Sequence, residues 1–244
     1  MLLLNYDGFT DLFLDINKKI IEDPKKYTDN KNGNQFYLPF SIFKTHSCEC
    51  NINLNKLCYT KSKIGILSRT YIDKERLEKF KNHLRICKGT SITYYFNNIK
   101  LKQGTTGNNG PCIISIVFTK KNRQDKYFTE ANIYYRTTEI NRRFYADLVL
   151  FNLFMKEMPE DLVKVESYRI IIPKAIFHTK NVLFNLDLFN ADLNIDNEVT
   201  RQIKHHLDKF EEHGLYNYKS IRRIQRHLNN DLTYNEVNMK ELTL

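Results

Sequence analysis

Residues 111–151 read PCIISIVFTKKNRQDKYFTEANIYYRTTEINRRFYADLVLF and carry the strongest secondary-structure signals of the chain. The apolar run at the start is typical of a buried strand, and the alternating stretch YFTEANIYYR is typical of a strand that returns beside it. The polar segment KKNRQDK between them predicts the tip of a hairpin. Residues 144–156 then predict a long apolar helix, which Met158-Pro159 closes. The order strand, hairpin, strand and helix predicts a mixed α/β core.

Elsewhere, helical and strand-like patterns alternate without a repeat or a linker. Helical spacing predicts helices at residues 1–24, 72–86, 198–213 and 217–229. Short apolar runs predict strands within residues 35–67, among them FYLPFSIF and KIGIL, and at SITYYF and SYRIIIPKAIF. The predicted fold class is therefore α/β, in the α+β sense of strands and helices mixed around one core. We expect one domain over residues 1–197, with a basic helical segment over 198–244 packed on it.

Composition limits the classes of protein to which the chain can belong. Hydrophobic residues make up 41% of the 244 residues, which is too much core material for a disordered protein. The opening MLLL is shorter than the apolar region of a signal peptide, and no later run reaches the roughly 20 apolar residues of a membrane helix. Five cysteines without a secretory signal predict free thiols. We therefore expect a cytoplasmic protein without a membrane segment.

The formal charge of +10 favours anionic partners, either nucleotides or nucleic acid. The C-terminal stretch KSIRRIQRHL could contact phosphates through Arg222, Arg223, Arg226 and His227. No known nucleic-acid-binding pattern accompanies these residues, so a solvated basic helix face is the simpler interpretation.

A second cluster contains residue types that bind zinc, namely His46, Cys48, Cys50 and Cys58. Its spacing, H-x-C-x-C-x7-C, lacks the paired C-x2-C knuckles of structural zinc sites. We therefore predict buried or isolated thiols at these positions and no metal.

Cys112 stands between a Gly-rich loop and a buried strand, where a side chain can be held rigidly. A catalytic thiol needs help to form its thiolate, and a nearby guanidinium would supply that help. The hairpin should bring Arg136 at its far end close to Cys112. A buried structural cysteine is the competing interpretation.

Together these residues resemble the thymidylate synthase family, which includes the deoxycytidylate hydroxymethylases. The shared order is Pro-Cys, strand, hairpin, strand, Arg-Ser/Thr-x-Asp/Glu, and an Asn or Asp eleven residues after the arginine. This chain has Pro111-Cys112, then Arg136-Thr137-Thr138-Glu139, then Asp147. Upstream, ERLEKFKNHLR and SITYYFNN resemble the helix and strand that precede the family's nucleophile. The resemblance covers residues 72–156 and implies a thymidylate synthase-like mixed sheet flanked by helices.

The resemblance also implies a role for each matched residue. Cys112 would add to carbon 6 of a pyrimidine nucleotide, so that carbon 5 attacks the one-carbon unit of 5,10-methylenetetrahydrofolate. Arg136, with Thr137 beside it, would bind the nucleotide phosphate and lower the pKa of the thiol. Glu139 stands where the family has an aspartate that contacts the folate, and Asp147 stands where the family reads the edge of the pyrimidine.

A carboxylate at position 147 favours cytosine, because it accepts a hydrogen bond from the exocyclic amine, whereas an amide suits uracil. The resemblance thus implies a pyrimidine nucleotide C5 one-carbon transferase, similar to a (d)CMP hydroxymethylase. It further implies a homodimer packed sheet against sheet, with the strands SITYYF and NIYYR at the dimer face.

Three positions depart from the family pattern. Ser91-Ile92-Thr93 stands where a partner subunit supplies two arginines to the phosphate, Ala175-Ile176-Phe177 stands where a His-x-Tyr holds the ribose, and Arg143 replaces a glycine. Phosphate and sugar recognition are therefore rebuilt or lost. Two alternatives stay open: a protein of this fold that binds a nucleotide, nucleic acid or protein without folate chemistry, and an unrelated basic α/β protein in which the spacing is coincidental.

Overall fold

The structure is a computed structural model that describes residues 1–29, 35–52, 57, 61–96, 112–184, 186–189 and 193–213. Ten strands lie within these residues: β1 (Leu2–Tyr6), β2 (Thr28–Asp29), β3 (Gln35–Leu38), β4 (Ser41–Thr45), β5 (Ser91–Tyr95), β6 (Ile113–Thr119), β7 (Phe128–Tyr135), β8 (Thr138–Glu139), β9 (Val163–Ile172) and β10 (Ala175–His178).

Six α-helices lie in the same part of the chain: α1 (Phe9–Glu22), α2 (Lys61–Tyr71), α3 (Lys74–Ile86), α4 (Arg143–Lys156), α5 (Leu186–Phe189) and α6 (Glu198–His213). Short 3-10 helices lie at Pro24–Lys26 and Thr179–Phe184. Asp73 caps α3, since its Oδ1 accepts a hydrogen bond from the Arg76 N–H at 2.9 Å. Such a cap satisfies a backbone donor that has no partner inside the helix.

The strands form two sheets. The larger has six strands in the order β1-β4-β9-β7-β6-β5, with β1 parallel to β4, β7 parallel to β9 and the other neighbours antiparallel. The smaller has the order β2-β3-β10-β8, in which β8 is parallel to β10. The predicted α+β class with a mixed sheet is confirmed, and the likeness of this sheet to thymidylate synthase stays a prediction.

One face of the larger sheet supplies much of the core. A row of residues paired in register crosses five strands, and each of its members is buried: Phe43, Ile170, Ile133, Ile116 and Tyr94. Because side chains alternate along a strand, their neighbours in sequence point to the opposite face.

Helix α4 is enclosed by the rest of the fold. Its eight consecutive residues Phe144–Phe151 are buried, and it packs against α1 and α2. The ring of Phe151 lies 5.7 Å from that of Phe9 and 5.9 Å from that of Tyr168. A helix that is apolar on all sides is buried on all sides. Because Asp147 lies on this enclosed helix, its side chain is also buried.

Two predicted elements are wrong. Residues 2–6 form β1 instead of the first turns of a helix: Leu2, Leu4 and Tyr6 are partly covered, the residues between them are exposed, and the strand pairs with β4. The run KIGIL lies in α2, where Ile64, Leu67 and Tyr71 recur at helical spacing and are buried.

The other predicted elements within the described residues are confirmed. They are α1, the hairpin of β6 and β7, α3, α4, β5 and α6. The strands predicted from FYLPFSIF are β3 and β4, and the strand predicted from SYRIIIPKAIF is divided between β9 and β10. The division falls at Pro173, which has no N–H for a sheet hydrogen bond. The Gly-rich loop that precedes Cys112, at residues 104–110, and the helix predicted at 217–229 lie outside the described residues.

The start of α6 packs against the domain. The Asn197 side-chain amide donates a hydrogen bond to the Ile21 carbonyl at 2.5 Å, and Val199 and Ile203 are buried. The His206 Nε2 and Thr179 Oγ1 atoms lie 3.3 Å apart. The boundary at residue 197 and the arrangement of residues 214–244 stay predictions.

Candidate functional site

Cys112 and Arg136 lie side by side at the open end of the β6–β7 hairpin. The Arg136 N–H donates to the Cys112 carbonyl at 2.8 Å, and the adjacent residues Ile113 and Tyr135 are paired across the two strands. The hairpin therefore joins the backbones of the predicted nucleophile and the predicted phosphate ligand, as expected from the sequence.

Asp147 is held from two sides through one carboxylate oxygen. Its Oδ1 accepts a hydrogen bond from the Tyr71 hydroxyl at 2.6 Å and from Arg143 Nε at 3.1 Å. Arg143 lies one turn before Asp147 on α4, so the two side chains share a helix face. Tyr71 comes from the end of α2, which packs against α4.

The Tyr71 hydroxyl connects this pair to Cys112. It accepts hydrogen bonds from the Cys112 backbone N–H at 2.9 Å and from Arg143 Nη2 at 3.2 Å. A phenol has one proton to donate and two lone pairs to accept with, so three bonds use its full capacity. The Arg143 guanidinium also lies 5.7 Å from the centroid of the Tyr71 ring. We call Tyr71, Cys112, Arg143 and Asp147 the polar cluster.

The carboxyl of Asp147 is fully buried, with 0% exposure. Burial raises its pKa above the ordinary value, while Arg143, Tyr71 and Cys112 act in the opposite direction. Its Oδ2 is buried and has no hydrogen-bond partner among the described residues. A buried oxygen without a donor costs free energy, which makes Oδ2 the atom at which a ligand or a proton would be most favourable.

Cys112 is a weakly acidic thiol in this structure. Burial and the nearby carboxylate of Asp147 raise its pKa to about 12, while Arg143 lowers it. The guanidinium that favours the thiolate is therefore that of Arg143, to which the sequence assigned no role. The assignment of Arg136 to this task stays a prediction.

Tyr135 borders the polar cluster at the end of β7. Burial, and next the charge of Asp147, raise the pKa of its phenol well above the ordinary value. Its hydroxyl is buried and lacks a hydrogen-bond partner among the described residues. Two polar atoms without partners, on Tyr135 and Asp147, thus lie in the same neighbourhood.

The remaining predicted site residues follow β7. Thr137 is exposed and Arg136 is half-buried. Glu139 lies in β8, where its Oε1 accepts a hydrogen bond from the Asn181 side-chain amide at 2.6 Å. The carboxylate assigned to the folate is therefore anchored to the 3-10 helix at Thr179–Phe184.

The candidate zinc residues have protein partners where they are described. His46 Nδ1 lies 3.1 Å from the Glu166 carbonyl oxygen, and the Cys50 thiol donates to the Cys48 carbonyl at 3.8 Å. Within the described part of the chain, no group of three or more metal-binding side chains converges. Cys58 and the four basic residues of the predicted C-terminal helix lie outside that part.

Sequence reasoning missed Tyr71 and Arg143. The i, i+4 spacing of Arg143 and Asp147 on a predicted helix was a usable signal for an ion pair. Tyr71 gave no such signal, because it reaches the cluster only through the packing of α2 on α4.

Comparison with known proteins provides no family assignment. No protein-family model matches the chain, and no curated protein matches it. None of the helices in the described ranges is long and apolar enough to cross a membrane.

Proposed function

We propose that the polar cluster is the base-binding and reaction site of a pyrimidine nucleotide C5 one-carbon transferase, with a cytosine nucleotide as substrate. The supporting observation is the meeting of Cys112 and Asp147. These two residues come from different elements, and they are the ones that the resemblance assigns to the nucleophile and to base recognition. Both hydrogen-bond to the hydroxyl of Tyr71.

Asp147 would recognise the base through Oδ2. An ionised carboxylate accepts from the exocyclic amine of cytosine and is repelled by the carbonyl of uracil. Because Oδ2 lacks a donor among the described residues, the amine would satisfy a buried acceptor. With uracil, Oδ2 would stay without a donor, and the binding free energy would be weaker by about 1–3 kcal/mol.

Cys112 would add to carbon 6 once its thiol has lost its proton to water. The sulfur–carbon bond takes the electron pair of the thiolate, and the electrons of the 5,6 double bond move to carbon 5, which becomes a nucleophile. With a thiol pKa of about 12, the thiolate is rare at neutral pH in the ligand-free protein. A cytosine amine on Asp147 would reduce the repulsion between carboxylate and thiolate, so that substrate binding would assist deprotonation.

The one-carbon donor would be 5,10-methylenetetrahydrofolate, which supplies an electrophilic carbon when bound. Glu139 fits a contact to an N–H group of its pterin, because a carboxylate has two oxygens and Asn181 is bonded to one of them. Arg136 and the exposed Thr137 would bind the nucleotide phosphate.

We also propose that the protein is a cytoplasmic homodimer. Free thiols at Cys48, Cys50, Cys87 and Cys112 suit a reducing compartment. The side of the larger sheet that faces away from the core supports the dimer. One register row crosses all six strands on this side and is mostly apolar: Leu3, Ile42, Ile171, Tyr134, Ser115 and Tyr95. We call this row the outer row.

The direct test is release of tritium from carbon 5. Purified protein is incubated with methylenetetrahydrofolate and either (d)CMP or (d)UMP labelled with tritium at that carbon. We expect release with a cytosine nucleotide and none from the Cys112→Ser variant. Absence of release with every pyrimidine nucleotide would exclude the transferase.

A second function, nucleotide binding without one-carbon transfer, is supported by the high pKa of the Cys112 thiol, which keeps the predicted nucleophile protonated near neutral pH. Calorimetry separates the two functions. Binding of a cytosine nucleotide without tritium release, and with equal affinity in Cys112→Ser, would establish the binding protein. No binding of nucleotides, combined with binding of nucleic acid or a protein, would exclude both.

A further inference from the structure

We propose that Tyr71 and Arg143 determine the base specificity of this site, by occupying Oδ1 of Asp147 with two donors and leaving Oδ2 as the atom that meets the base. This inference rests on the proposed pyrimidine site. It adds two positioning residues from different helices that the resemblance did not supply.

The proposal depends first on the direction of the hydrogen bonds around the Tyr71 hydroxyl. The Cys112 N–H and the Arg143 guanidinium can only donate, so both lone pairs of the Tyr71 hydroxyl are taken. The phenol proton must then point at its third neighbour, Oδ1 of Asp147. Arg143 Nε is a second obligatory donor to the same oxygen.

The position of any proton on Asp147 follows from this arrangement. Oδ1 faces two donors, so a proton placed there would oppose both of them. Protonation must therefore occur at Oδ2. Ionised Asp147 offers Oδ2 as an acceptor, which suits the amine of cytosine, whereas protonated Asp147 offers an O–H donor, which suits the carbonyl of uracil.

The protonation state of Asp147 depends on all the groups that face its carboxyl. Burial favours the neutral form, whereas the neutral thiol of Cys112 favours the carboxylate. The buried phenol of Tyr135 also faces the carboxyl, and the charge of Asp147 helps to keep that phenol neutral. Arg143 supplies a positive charge within the polar cluster, and Tyr71 stabilises the carboxylate by donation. Loss of either residue should shift Asp147 towards the neutral form and weaken the preference for cytosine.

The test compares dCMP and dUMP binding by calorimetry over a range of pH. The variants are Tyr71→Phe, which removes only the hydroxyl, and Arg143→Gln. We expect the wild type to prefer dCMP, and each variant to lose about tenfold or more of that preference. The pH below which the preference disappears should rise in Arg143→Gln, because loss of a cation raises the pKa of a nearby carboxyl.

Lys156→Gln is the matched control. It removes one positive charge from the same helix, about 14 Å along the axis from Asp147, and should leave the preference unchanged. Equal preferences in wild type, Tyr71→Phe and Arg143→Gln would overturn the inference.

A second measurement separates this inference from the proposed function. Carbon-13 NMR of labelled aspartate reports the titration of Asp147 without any ligand, and Asp147→Asn identifies its signal. A higher pKa in Arg143→Gln supports the positioning role even if no pyrimidine binds, in which case only the proposed function fails. An unchanged titration would overturn the positioning role. If Arg143→Gln does not fold, Arg143→Lys and Tyr71→Phe undergo the same titration.

Discussion

Asp147 and Cys112 are coupled by charge, and the coupling can be measured on single residues. We expect Asp147→Asn to lower the pKa of the Cys112 thiol, because the variant removes the negative charge that opposes the thiolate. A fall of one pKa unit would make alkylation of Cys112 by iodoacetamide about tenfold faster at pH 8, where the rate follows the thiolate fraction.

Peptide mass spectrometry assigns the alkylation to Cys112 and separates it from the other thiols. Cys87 provides an internal control, because it is partly exposed after α3, outside the polar cluster, and its alkylation should be unaffected. An unchanged rate at Cys112 in Asp147→Asn would contradict the coupling.

Stability should depend on pH through the same carboxyl. The pKa of Asp147 is raised in the folded state, so its carboxyl binds a proton more tightly in the folded protein than in the unfolded chain. The stabilising contribution is complete below the unfolded-state pKa of about 3.9 and is lost as the pH rises through the folded-state value. The free energy of unfolding of the wild type, relative to Asp147→Asn, should therefore fall as the pH rises from 4. Urea unfolding of both proteins over this range checks the trend, and a constant difference would contradict it.

At the residue scale, the sequence predicted one part of the site and missed another. The proximity of Cys112 to Arg136 followed from the local geometry of a hairpin. The role of Tyr71 depends on how α2 packs on α4, which no short-range pattern encodes, whereas the i, i+4 spacing of Arg143 and Asp147 was a local signal that was not used. A motif thus located the cluster but did not identify the cation that acts on the thiol.

Among the elements, the long periodic segments were predicted and the short apolar runs were not. Helices α3, α4 and α6 have many residues on which a helical period can be judged. The runs MLLL and KIGIL are too short for periodicity to distinguish strand from helix. Their states are set by their neighbours: β1 pairs with β4, and α2 packs on α4.

The contribution of the α3 cap to stability can be tested by substitution of Asp73. Asp73→Ala removes the acceptor for the Arg76 N–H and should lower the free energy of unfolding by about 1 kcal/mol. Asp73→Ser keeps an oxygen at the same position and should lose only a fraction of that amount. Urea unfolding compares the three proteins, and equal losses in both variants would show that the cap contributes nothing.

For the whole molecule, the outer row predicts association. Tyr95 is 61% exposed at one end of the row, and Leu3 is 61% exposed at the other. We expect Tyr95→Lys to dissociate the proposed dimer, because a lysine ammonium buried in an apolar interface loses its hydration. Sedimentation equilibrium at micromolar protein measures the mass.

The matched control is Ile86→Lys. Ile86 is 72% exposed at the end of α3, away from the outer row, so the substitution should leave the dimer intact. A wild type that sediments as a monomer would contradict the proposed dimer.

The order of the strands also governs when the chain can fold during synthesis. Strand β4 lies between β1 and β9, so its second partner leaves the ribosome only after residues 46–172 have been made. At about 5–20 residues per second, that delay is roughly 6–25 s. Until residue 156 has been made, the apolar residues of β1, α1 and β4 have neither β9 nor α4 to cover them, so we expect the nascent chain to be prone to aggregation during this part of the interval.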